Sequence, residues 1–167
     1  MSAGMERIRE RMRDYLTEQG VNAIAAWPEG ARKELDGPVV VVSLRECQAG
    51  PAGFQNYLGE RYNQETGLWE ELYGRKARLT FGLDLYAPAR SDGADIQRAF
   101  DTLVTALTGD GPVGLAVREV SCEETEYDPS ARLQVRSARA VCDAYLCAVS
   151  QPGEIFLDFE LRGGLKT

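Results

Sequence analysis

Histidine is absent from this chain of 167 residues. Its absence removes Ser-His-Asp and Cys-His nucleophile activation, histidine acid–base catalysis and most mixed-ligand zinc sites. Carboxylate, lysine and tyrosine chemistry stays open. Apolar runs such as Val39-Val40-Val41-Val42 fall far short of the ~20 residues a membrane span needs. Cysteine is scarce: Cys47, Cys122, Cys142 and Cys147 include no pair at the two-residue spacing of a redox or zinc motif. Free, buried thiols are therefore expected. The first 19 residues are charged throughout and lack the apolar stretch of a secretory signal, so a cytosolic origin is expected. Positive charge is also in deficit, with 19 Lys and Arg against 26 Asp and Glu and a net charge of −7. That balance opposes nonspecific nucleic-acid binding, which needs clustered cations to displace counterions. Neither G-x-x-x-x-G-K-[ST] nor G-x-G-x-x-G stands after a strand, and internal repeats are absent.

What the chain does have is periodicity. A length of 167 residues reads as one domain spanning 1–167, able to bury roughly 70% of its unfolded surface. Residues 76–86 alternate, with Leu79, Phe81, Leu83 and Leu85 on one strand face and Arg78, Thr80, Gly82 and Asp84 on the other. After Asp92-Gly93, Ile96, Ala99, Phe100, Leu103 and Leu107 recur at helical spacing, with Ser91 or Asp92 expected as N-cap. Residues 5–19 predict an earlier helix with an apolar stripe of Met5, Ile8, Met12, Tyr15 and Leu16. Glu6–Arg9 and Glu10–Arg13 pairs are expected on its wet side, and Gly20 as its terminator. Residues 21–27 suggest a short strand and residues 39–44 an interior one. Residues 115–122 read as a strand bulged near Arg118-Glu119. Residues 131–149 read as extended, with helix a competing reading because of the alanines and arginines. Residues 154–162 read as a last strand that must be tied down by pairing. The fold class that follows is α+β: a single mostly antiparallel or mixed sheet packed against two main helices, with a long aromatic-glycine hairpin insertion at 50–75.

That insertion interleaves Gly50, Gly53, Gly59, Gly67 and Gly74 with Phe54, Tyr57, Tyr62, Trp69 and Tyr73. It is too aromatic for an inert linker. Two readings stay open. The aromatics tuck back onto the domain, or they anchor a neighbouring subunit, since Tyr and Trp are enriched at interface hot spots. Three other groups carry weaker signals. Glu123, Glu124, Glu126 and Asp128 lack the glycine and spacing of a calcium loop and are read as a solvated turn. Glu70 and Glu71 have no partner acid at a defined spacing, as glycoside hydrolysis would need. Arg132, Arg136 and Arg139 do not share one strand face, and cross-strand pairing with the acidic cluster is expected of them.

The order of elements, with the stretches G-F-Q-N-Y-L-G-E-R-Y (53–62), E-L-Y-G-R-K-A-R-L-T-F-G-L-D-L-Y-A-P (71–88) and F-L-D-F-E-L-R-G (156–163), resembles bacteriophage tail terminator and head–tail completion proteins. The likeness is to those of contractile-tailed phages and prophages of Firmicutes. It implies a non-enzymatic ring, typically of six subunits, at the neck end of a virion tail, assembled in the bacterial cytoplasm. Such a ring caps the tail tube, halts its polymerisation and docks the head connector or neck protein, with sheath protein as a further neighbour. DNA passes through the lumen without specific binding, and an acidic wall would favour sliding. The resemblance implies neither catalytic residues nor cofactors, and no membrane. By their chemistry, Phe54, Tyr57, Tyr62, Trp69 and Tyr73 are the expected subunit or partner contacts, with Arg61, Glu70, Glu71 and Arg75 as charged companions. The alternative is a small-molecule-binding or regulatory α+β domain with residues 50–75 as a lid.

Overall fold

The computed structural model describes residues 3–25, 35–51, 57–89, 93–150 and 159–162. The first helix, α1 (Ala3–Glu18), buries Ile8, Met12 and Leu16, the apolar stripe expected of it. It ends as the sequence implies. Gly20 takes φ 86°, and Val21 donates its N–H to the Leu16 carbonyl at 2.9 Å, closing the last turn. Arg9 pairs with Glu6 at 3.0 Å, whereas Arg13 turns to the adjacent Asp14 at 2.7 Å rather than to Glu10.

The second helix, α2 (Ala94–Thr108), buries Ile96, Leu103, Ala106 and Leu107. Its N-cap is Gly93, at φ 86°, whose carbonyl accepts from Gln97. Gly93 thus takes the place expected for Ser91 or Asp92, which lie outside the described residues. The two helices are tied by the Tyr15 hydroxyl, which donates to the Ala106 carbonyl at 2.6 Å.

Nine strands among the described residues form one sheet: β1 (Ala23–Ile24), β2 (Val39–Pro51), β3 (Tyr57–Asn63), β4 (Leu68–Pro88), β5 (Ala116–Cys122), β6 (Glu126–Asp128), β7 (Leu133–Arg136), β8 (Ala138–Ser150) and β9 (Phe159–Arg162). β1 runs parallel to β2 and every other pairing is antiparallel, so the sheet is mixed and the fold α+β. Residues 133–150 are extended, which settles the helix alternative. The bulge in β5 falls between Val117 and Glu119. Residues 154–158 lie outside the described residues, while β9 pairs with β8 from Tyr145↔Arg162 to Ala148↔Phe159.

The central strand is β4. It is 21 residues long, twice the span its alternation alone marks out. Its neighbours on one side are β2 and β3, and on the other β8 and β7. Leu79, Phe81, Leu83 and Leu85 are fully buried under both helices, together with Val40, Val42, Ala140 and Cys142. This dry face drives the helices onto the sheet.

On the opposite face, the second bulge, between Leu44 and Glu46, releases Arg45 to reach back over β4. Its Nη2 donates to both oxygens of Asp84, at 2.7 and 2.8 Å. Gly82 makes room for it: a Cβ there would lie 2.3 Å from the Arg45 Nε.

Candidate functional site

The aromatic-glycine segment is woven into the sheet rather than appended to it. β2 runs out to Pro51, opposite Arg75, and β3 pairs with the first half of β4 from Tyr57↔Tyr73 to Asn63↔Leu68. The turn between them is fixed by Asn63, whose Oδ1 accepts from the Glu65 and Thr66 amides, and by Gly67 at φ 67°.

Direct cross-strand register makes two aromatic pairs. Tyr57 meets Tyr73 and Tyr62 meets Trp69, each edge to face with ring centroids 5.6 Å apart. Trp69, Glu71, Tyr73 and Arg75 continue the odd-numbered face of β4 whose inner half, from Ala77 to Ala87, forms the core. Beyond Ala77 that face leaves the cover of the helices. Trp69 is 65% exposed, and Tyr57 and Tyr62 are exposed as well.

Charge on this surface is unbalanced. Glu60 and Glu71 stand directly opposite one another across β3 and β4, and like charges so placed repel. The Tyr73 hydroxyl relieves this in part by donating to Glu71 at 2.6 Å. That hydrogen bond, followed by shielding from water, holds the Tyr73 phenol above its ordinary pKa. Shielding and then the Glu60 and Glu71 charges do the same for Tyr57. Both phenols therefore remain neutral hydrogen-bond donors across the physiological range.

Arg61 and Glu70 occupy the other face. Glu70 is only 3% exposed and accepts from Arg61 Nε at 2.9 Å and from Asn63 Nδ2 at 2.8 Å. Leu72 is buried beside it in the alternation. The dry side of β4 thus changes face between Leu72 and Ala77. Of the nine residues expected at an interface, Tyr57, Tyr62, Trp69, Tyr73, Glu71 and Arg75 share one face. Arg61 and Glu70 form an internal brace on the opposite one, and Phe54 lies outside the described residues.

A second group was not legible beforehand. Asp143, 8% exposed, sits on β8 across from Arg78 and accepts from Arg118 Nε at 3.0 Å and, more loosely, from Arg78 Nε at 3.4 Å. The β5 bulge is what turns Arg118 to this face. Burial alone would push the Asp143 carboxyl up, but the two guanidinium groups and Lys76 outweigh it and hold it below its ordinary value. The one available signal was an aspartate interrupting the small apolar residues 140–144 of an otherwise buried strand.

The remaining candidates are structural. Asp128 caps its turn by accepting from the Ser130 amide and hydroxyl and the Ala131 amide. Arg136 does not pair with the acidic cluster's carboxylates. It donates to the Glu123 carbonyl at 3.1 Å and to Gln97 Oε1 at 2.9 Å, and lies 4.4 Å over the Phe100 ring. Arg132 is in the turn itself, at φ 53°. Two open cavities of about 410 and 400 Å3 are lined by residues of α1, β2, β4 and β8, and by none of residues 57–73. Among the described residues no group of three or more acidic or cysteine side chains is placed to hold a metal ion, and no helix is long and apolar enough to cross a membrane. The chain matches no protein-family model and none of the curated proteins.

Proposed function

We propose that the chain is a structural, non-enzymatic subunit of an oligomeric ring that caps the tail tube of a phage or phage-like particle. The ring ends polymerisation of the tube and joins it to the head through a connector or neck protein. The reading takes its biological setting from the resemblance of the 53–62, 71–88 and 156–163 stretches. One observation supports the interface it requires: the central strand carries its odd-numbered face past the helices and, with β3, presents Tyr57, Tyr62 and Trp69 to solvent beside the half-buried Tyr73. Rigid aromatic side chains already paired across two strands lose little entropy on docking, which suits them as subunit anchors. Two facing carboxylates on the same surface, Glu60 and Glu71, favour a partner bearing a cation there. Six copies is the stoichiometry the resemblance implies, with tube and sheath protein as further contacts and DNA passing the lumen unbound. Native mass measurement, and negative-stain imaging of the protein mixed with tail tubes, test this. A closed oligomer, or a protomer that collects at tube ends, is the expected result. A strict monomer that never localises to tube ends would overturn it.

A further inference from the structure

We infer that the open face of the sheet, around Asp143, receives the acidic β5–β6 connection of a second copy of this chain. The contact deepens the ring reading and rests on it. Arg78 and Arg118 each commit only Nε to Asp143, and their side chains remain 61% and 60% exposed. Their outer Nη groups and the exposed Lys76 ammonium make no ion pair among the described residues. Lys76, Arg78, Arg118 and Arg139 share this face with Asp143, Glu119 and Glu46, which leaves one cation in surplus in a chain that is acidic as a whole. Glu46, on the adjacent β2, accepts from the neutral Gln48 amide at 2.6 Å and keeps its charge.

The same chain carries the complement. Glu123, Glu124 and Glu126 are exposed, and their side chains form no ion pair among the described residues. They cannot reach the patch within one copy. Glu123 is hydrogen-bonded at Ser137, six residues along the strand from Asp143, roughly 20 Å at the usual strand rise. A patch and its complement at separate places on one molecule define a heterologous contact. Repeated by rotation, such a contact closes a ring. The fork geometry of two guanidinium groups suits carboxylates well. Nucleic acid phosphate is the poorer occupant, since three cations on a net-acidic chain supply little counterion release.

Lys76 is the only lysine among the described residues, and Lys33 and Lys166 are the other two in the chain, so the identity of the cross-linked peptide reads the contact. A carbodiimide activates a carboxylate so that a touching amine displaces the urea and forms an amide. Applied to the assembled full chain, it should join Lys76 to Glu124 or Glu126 of a neighbour, giving covalent dimers and an identifiable cross-linked peptide. Reversing Glu124→Arg with Glu126→Arg, both exposed, should leave the melting temperature unchanged. It should weaken assembly about tenfold at low salt, with the difference fading as salt is added. An oligomer that shows neither the cross-link nor sensitivity to the reversal overturns this contact and leaves the ring standing. A wild-type chain that is monomeric at every concentration and never collects at tube ends overturns both. Binding of a DNA duplex that Lys76→Glu abolishes, with no cross-link, would assign the patch to phosphate instead and overturn the contact.

Discussion

Replacing Trp69 by alanine should separate folding from assembly. A tryptophan side chain carries up to about 250 Å2 of surface. With 65% of the residue exposed, roughly a third, about 90 Å2, is covered within the protomer, where Tyr62 packs edge to face against the ring. At ~25 cal/mol per Å2 that cover amounts to about 2 kcal/mol, an upper bound because the unfolded chain also hides some of it and alanine keeps part. The other two thirds, about 160 Å2, would contribute about 4 kcal/mol if a partner buried it fully. Trp69→Ala is therefore expected to lower protomer stability by about 1 kcal/mol in urea unfolding. It should weaken assembly by about 2–4 kcal/mol, some 30- to 1,000-fold in dissociation constant. Sedimentation equilibrium across a concentration series gives the second number. A folding loss above about 3 kcal/mol with unchanged assembly would mean that Trp69 serves the fold, and the anchor argument would be refuted.

Three further outcomes are expected. Glu70→Ala should cost about 1–3 kcal/mol in urea unfolding, because it leaves Arg61 and Asn63 without their buried acceptor; the lower half of that range is favoured since Arg61 is a third exposed. A change under about 0.3 kcal/mol would show that the brace contributes nothing. Asp143 titrates below its ordinary 3.8 in the folded state, so its contribution to stability is complete at neutral pH and is lost as pH falls through the lower folded value. The melting temperature of the wild type should therefore drop more steeply below about pH 4 than that of Asp143→Asn, and identical acid limbs would contradict the clamp. Burial, and secondarily the Asp143 charge, push the Cys142 thiol up to about 12, whereas Cys47 is exposed. A maleimide at pH 7.5 should label Cys47 within minutes and Cys142 only on unfolding, as peptide mapping would reveal.

Where one face of an element is uniformly dry, the sequence spoke clearly. The Leu79–Phe81–Leu83–Leu85 alternation, the stripe of α1 with its Gly20 stop, and the bulge near Arg118-Glu119 all follow from patterns of period 2 or 3.6 confined to neighbouring residues. Register between distant strands does not leave such a trace. The continuation of β4 back to Leu68 was hidden because its dry side changes face between Leu72 and Ala77, which breaks the alternation at the point where the strand continues. The described residues of the apparent insertion at 50–75 belong to the ends of two long strands, with β3 laid against one of them. The Asp143 clamp was hidden for a similar reason. Its members come from β4, β5 and β8, and one of them is aimed by a bulge. The helix N-cap went to Gly93 because a left-handed φ of 86° is open to glycine at little cost, and the preference of Ser and Asp for caps did not decide it.

The change of dry side along β4 bears directly on how such a subunit could assemble. If the odd-numbered face stayed covered along all 21 residues, the sheet would end in a closed core and offer a partner only edges and charges. If the even-numbered face at Glu70 and Leu72 were also wet, the β3–β4 end would have no hydrophobic side, and its outermost part, past the β8 pairing at Glu71↔Ser150, would be a two-stranded ribbon, marginal on its own. Burying Glu70 and Leu72 on one side gives that end the rigidity to hold Tyr62 and Trp69 in fixed geometry on the other. The internal Arg61–Glu70–Asn63 brace and the exposed aromatics are then two sides of one device. Loosening the brace should blur the aromatic surface before it unfolds the core. Glu70→Ala would accordingly weaken assembly by more than its own cost in stability accounts for.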